Sequence, residues 1–168
     1  KSIIIFFYFL VSSLISTIQG QTIAPQILVF SKICAGNFNQ FDATFNHAGF
    51  STATTFEVQL SDNLGSFATP IQTTTLNITD VSPGQKTITF AVPTNLIGSE
   101  NYKLRVKSST GIISGNFSIK DPNNSNNTLS YFPAYYKPFE DVYYINNKQS
   151  SAYFCTGGNI TLSIDNPT

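Results

Sequence analysis

The chain has 168 residues, nine basic and nine acidic side chains, and a formal net charge of zero. Charged residues make up only 11%, less than half the ~25% of an average soluble domain. No long-range field would draw it to nucleic acid or an anionic membrane, and its length admits one domain, or one and part of another.

Residues 1–20 open on Lys1 and Ser2, run through an apolar stretch over 3–11, and close on Gln19 and Gly20. A positive start, a short apolar stretch and a small residue before the cut are the pattern of a secretory signal peptide. Cleavage after Gly20 is expected, and with it an extracellular or outer cell-surface location with no membrane contact once the signal is removed. A retained anchor is the weaker reading, because a spanning helix needs ~20 apolar residues.

Strand-like runs follow. Residues 26–32 are expected as the first strand, 27–30 being nearly all apolar. Phe41, Ala43 and Phe45 alternate with polar residues, as do Phe56, Val58 and Leu60. A Thr-rich run over 73–79 carries Leu76 and Ile78; Ile88, Phe90 and Val92 follow Pro83-Gly84; Tyr102, Leu104 and Val106 alternate with Lys103, Arg105 and Lys107; Phe117 and Ile119 complete the series. A period of two gives each strand one wet and one dry face. Seven short strands with Gly, Pro, Asn and Asp between them predict an all-β fold, a seven-stranded immunoglobulin/fibronectin-like sandwich over residues 21–120. The alternating cations read as the wet side of a strand.

Tyr102 follows a turn holding Leu96 and Ile97. It reads as structural, either as a tyrosine corner whose hydroxyl bonds backbone across the turn or as a plain inward ring. Residues 121–130 are polar and read as a linker or long exposed loop. Beyond it Tyr131, Phe132, Tyr135, Tyr136, Phe139, Tyr143 and Tyr144 crowd together. These aromatics are candidates for ligand or interdomain contact, by stacking on a glycan, filling a partner's pocket or packing in a core. Cys155-Thr-Gly-Gly-Asn echoes Cys34-Ala-Gly-Asn, so residues 131–168 read as the incomplete start of a second β-rich module. Cys34 and Cys155 are the only cysteines and read as structural. They could bridge two modules, pair elsewhere or stay buried and free, and the free thiol ranks first.

Chemistry finds little support. A hydrolytic triad needs a base beside a nucleophile; His47, the sole histidine, falls in Asn46-His47-Ala48-Gly49 and reads as an exposed loop residue. Zinc wants three or four clustered ligands, and no such spacing occurs. Glu140 and Asp141 are adjacent and would point opposite ways on a strand. Asp62 in Asp62-Asn63-Leu64-Gly65-Ser66 reads as the cap of a turn rather than a calcium ligand. The expectation is a non-enzyme without catalytic residues, cofactor or metal.

Three segments carry a resemblance: Ile33-Cys34-Ala35-Gly36, the run from Phe56 through Ser61-Asp62-Asn63-Leu64-Gly65-Ser66-Phe67, and Tyr102-Lys103-Leu104-Arg105-Val106-Lys107-Ser108-Ser109 after Pro93 and Gly98. Together they resemble a repeating extracellular module of Bacteroidetes, found in long flavobacterial surface proteins of the kind linked to type IX secretion and gliding motility. The resemblance covers about residues 22–120 and, more loosely, 131–168, and supplies no catalytic residues. It implies a structural or adhesive module, such as an adhesin or a gliding-associated component, at the N-terminus of a larger protein, whose partners are neighbouring modules of the same polypeptide, a surface protein or glycan, and the export machinery. A carbohydrate-binding module using the aromatics, or an accessory domain of a secreted hydrolase, is the alternative.

Overall fold

Alternating apolar residues must hide one face of each strand, and the computed structural model, which describes residues 20–36 and 38–136, shows how they do so. Its described residues form an all-β domain of twelve strands in four sheets. Three two-residue or four-residue strands stand at its margins: β1 (Thr22–Pro25), β2 (Ile33–Cys34) and β5 (Ile71–Gln72). The longer β3 (Phe41–Ala48), β4 (Phe56–Leu60), β6 (Thr74–Ser82), β7 (Gln85–Ala91) and β9 (Leu104–Ser108) carry the core. β8 (Ser99–Tyr102), β10 (Ile119–Asp121), β11 (Asn124–Leu129) and β12 (Phe132–Tyr135) complete the set.

One sheet has the order β1-β3-β7-β6 and another β5-β4-β9. In the first, β3 and β7 pair antiparallel with Ala43 opposite Ile88 and Phe41 opposite Phe90. In the second, β4 and β9 pair with Val58 opposite Val106 and Leu60 opposite Leu104. Their apolar faces meet in one cluster in which Ala43, Phe45, Leu60, Ile88, Phe90, Leu104 and Val106 have no solvent exposure. This is sandwich-like packing, in which each sheet covers the other's dry face.

The chain changes sheets early. Residues 26–32, expected as the first strand, are not one. The strand lies upstream at β1 on β3, and after Pro25 the chain crosses to the other sheet, where Ile27 forms a single parallel bridge with Ser118 and Leu28 N–H donates to the Ser118 carbonyl (2.8 Å). Leu28 enters the core while Val29 is 89% exposed. A run of consecutive apolar residues on a segment that touches the core at alternate positions must leave some outside.

The Thr-rich run is longer than expected and all nine residues of β6 are exposed, Leu76 and Ile78 included. Ile78 sits opposite the buried Ile88, on the core-facing side. The opposing sheet ends in the two-residue β5, so nothing lies across from the outer half of β6. Register shifts at Thr75/Asn77 and Asp80/Ser82 mark bulges of the kind that blunt a free sheet edge.

The alternation from Tyr102 to Val106, read as one strand, divides at Lys103. β8 leaves for a third sheet, ordered β2-β12-β8, while β9 stays in the core sheet. Residues 121–130, read as a linker, contain β11, which folds back on β10 as an antiparallel hairpin; its backbone pairs although its side chains are nearly all exposed. Phe132 and Ala134 of β12 then insert into the main core cluster. The start of the aromatic run thus packs on residues of the expected first module. Of the expected second module, residues 137–168 lie outside the described residues, as do residues 1–19 of the expected signal peptide.

Candidate functional site

Loops at the two ends of the paired sheets form two poles. Four pieces meet at one pole: the β3–β4 loop (residues 49–55), the β6–β7 turn (83–84), the turn after β9 (109–111) and Gln21, just before β1. They are stitched to one another. Thr55 N–H donates to Ser109 Oγ (3.1 Å), and Ser109 N–H to the Thr55 carbonyl (2.9 Å). His47 N–H donates to the Gly84 carbonyl (2.7 Å), and Thr110 Oγ1 bonds Gln21 Oε1 (2.9 Å). Ser51 and Thr54 share a hydroxyl–hydroxyl bond (3.2 Å).

Two open hollows flank Phe56 at this pole. One, of about 520 Å³, is lined by His47, Phe50, Thr52, Thr54, Asp80 and Lys86 among others. The second, of about 440 Å³, is lined by Thr55, Glu57, Lys107, Ser109 and Thr110. Phe56 lines both. Its ring lies edge-on to Phe50 (centroids 5.1 Å apart, 78° between planes) and 5.2 Å from the His47 imidazole. Each hollow carries one ion pair, Lys86 with Asp80 and Lys107 with Glu57 (3.7 Å).

His47 is therefore not the exposed loop residue expected. It lies on β3, half-buried, against the rings of Phe45, Phe50 and Phe56. Burial, then the neighbouring Lys86, hold its pKa below the usual 6.5, with Asp80 acting in the opposite sense. The uncharged imidazole is favoured there.

The other pole contains the β2-β12-β8 sheet and the Asp62 turn. Tyr102 has no solvent exposure and its hydroxyl donates to the Ile97 carbonyl five residues upstream, a tyrosine-corner bond. Asp62 Oδ1 accepts from Leu64 N–H (3.0 Å) and Ser66 N–H (2.7 Å), so one of its carboxylate oxygens caps the turn. Cys34 is disulfide-bonded, against the free thiol ranked first; Cys155, the other cysteine of the sequence, lies outside the described residues. Among the aromatics, Tyr131 is 44% exposed, Tyr135 is buried and Tyr136 packs against the core. Phe139, Tyr143 and Tyr144 lie outside the described residues. Tyr135 thus does not stand open to solvent as a stacking surface, and Tyr136 is half-buried. On the outer face of the β5-β4-β9 sheet, Arg105 Nε donates to Gln59 Oε1 (3.0 Å) and its guanidinium lies over the Phe67 ring (4.1 Å).

Among the described residues no three His, Cys, Asp or Glu side chains gather as metal ligands would. Comparison of the chain with family models, curated proteins and solved structures finds no match. The loop pole is the candidate site on geometry alone. No motif marks it in the sequence: Ser51-Thr52-Ala53-Thr54-Thr55 and Ser109-Thr110-Gly111 are 54 or more residues apart, and only the fold brings them together.

Proposed function

We propose that residues 22–120 form an immunoglobulin/fibronectin-like sandwich that serves as a non-catalytic structural and adhesive module of a larger extracellular protein. The strand order supports the fold. β1-β3-β7-β6 faces β5-β4-β9, and the segment after β9 runs back beside it through Ser114 N–H to the Val106 carbonyl and Phe117 N–H to the Leu104 carbonyl. That is the layout of a four-stranded A-B-E-D sheet over C and F with G alongside. The tyrosine-corner bond is a further mark of the same architecture.

One observation carries the functional reading: the chain crosses the domain from pole to pole. Thr22 pairs with Ala48, at the pole of the 49–55 loop. Tyr135 pairs with Cys34, and β12 also lies beside β8, at the opposite pole. A domain that the chain joins at one end and leaves at the other can be strung in series and bear load along its axis. The one imidazole, set among three phenyl rings, is engaged in packing. Display at the surface of a Bacteroidetes cell, and export by the type IX route, belong to this proposal on the resemblance quoted above and on the pattern of residues 1–20.

Antibodies against the protein, applied to intact and to permeabilised cells of the source organism, test the reading. Labelling of intact cells, with weaker surface attachment when the gene is deleted, is expected. Labelling only after permeabilisation would overturn it.

A further inference from the structure

The loop pole has the features of a built ligand surface rather than of slack turns. Its loops are fixed by the reciprocal Thr55–Ser109 bonds and the His47–Gly84 bond, so little ordering remains for a ligand to impose. The two hollows fall within the size range of small-ligand sites and both border Phe56, which is itself buried, with the half-buried Phe50 edge-on to it in the first.

We propose that this surface binds a neutral oligosaccharide, with one sugar unit in the His47 hollow beside Phe50 and the next toward the Thr55–Thr110 hollow. The chemistry of the walls selects that class. Each cation is already matched by a carboxylate, Lys86 by Asp80 and Lys107 by Glu57, and His47 favours its uncharged form. The surface therefore offers no net charge to attract an ion. It offers instead the exposed hydroxyl of Thr52 and the capacity left on Thr54, which bonds Ser51, and on Ser109, which accepts from Thr55 N–H; these suit a ligand covered in hydroxyls. The half-buried Phe50 beside Phe56 supplies an apolar flank for the C–H face of a pyranose. Both hollows are open, which fits a chain ligand that continues beyond them better than an enclosed small molecule.

The proposal names the ligand of the adhesive module proposed above and rests on that reading. The antibody experiment tests surface display separately, so either can fail alone. The direct test is titration of the isotope-labelled full chain with hexasaccharides of β-glucose, β-xylose and β-N-acetylglucosamine, read by amide chemical shifts. At least one is expected to give saturable shifts confined to residues 47–56, 80–86 and 107–111. Phe50→Ala should weaken binding at least about tenfold. Because Phe50 also packs against the core, the exposed Thr52→Val provides a second test, with a loss of about two- to tenfold at unchanged melting temperature. Affinity should be the same in about 0.05 M and about 0.5 M NaCl, since no charge pairing is involved. No saturable shifts with any of the three at about 5 mM would overturn the assignment. So would shifts mapping to the β2-β12-β8 end, or binding of a sulfated glycan alone with loss of affinity in salt.

Discussion

Removing one oxygen atom from Tyr102 isolates the tyrosine-corner bond from the packing that surrounds it. The ring has no solvent exposure, and Tyr102→Phe leaves it in place while deleting the hydroxyl that donates to the Ile97 carbonyl. A net intramolecular hydrogen bond contributes about 0.5–1.5 kcal/mol, and stranding a buried partner adds to that loss. The acceptor belongs to a surface turn whose Ile97 side chain is 60% exposed, so water can take over part of the carbonyl's demand. The expected cost is therefore about 1 kcal/mol, or roughly 4 °C in melting temperature. Tyr102→Ala also removes the ring and leaves a cavity, which raises the cost to about 3–5 kcal/mol. Urea unfolding of the two variants against the parent reads both values, with the slope unchanged if the unfolded state is unaffected. A Tyr102→Phe midpoint indistinguishable from the parent would show that the hydroxyl contributes nothing. Equal losses in the two variants would show that the ring's packing is not separable from its bond.

Three further outcomes follow from the same geometry. Gly65 has φ +82° and a Cβ there would lie 2.8 Å from the Asn101 carbonyl oxygen, whereas Gly111 has φ +89° and open space; Gly111→Ala should cost about 1–2 kcal/mol and Gly65→Ala clearly more, measured by thermal melts. His47 has a folded-state pKa held below 6.5, so the unfolded chain takes up its proton first as pH falls. Its contribution to stability is full above about pH 6.5 and is lost as pH drops through the lower folded value; titration of the imidazole signals should give a midpoint below 6.5, moving up in Lys86→Gln and down in Asp80→Asn. Ile78 and Ile88 face each other across β6 and β7 but differ in burial, so Ile88→Ala should cost about 2–5 kcal/mol and Ile78→Ala within about 0.5 kcal/mol, read from the same denaturant curves.

The sequence made the core legible because burial imposes a period of two on any strand with one dry face. Phe45, Val58, Leu60, Ile88, Phe90, Leu104 and Val106 alternate in sequence and are all buried. Where period failed, the cause was topological. Residues 27–30 are uniformly apolar, so periodicity could not place the point where the chain changes sheets. Leu76 and Ile78 alternate correctly and face the right side, yet the sheet opposite them is too short to cover them. The polar 124–129 run has no pattern to read, since β11 is held by backbone pairing with β10 rather than by burial. His47 was misplaced because its neighbours Asn46 and Gly49 are turn residues by type, although Asn46 here sits in a ladder opposite Gln85. The loop pole was not legible at all, because its hydroxyls belong to turns that only the folded chain juxtaposes.

The two poles differ in a way that bears on how the module could work. The pole where the chain leaves is tied by short strands, the Tyr102 hydroxyl and the Asp62 turn. The short strands link chain segments far apart in sequence: β12 joins β2 on one side and β8 on the other. Tension applied beyond Tyr136 is thereby passed into two other segments rather than peeling β12 alone. The opposite pole has no such sheet. Its loops are joined by side-chain and turn bonds around two open hollows. Anchorage at one end and contact at the other is the division of labour a link in an adhesive chain requires.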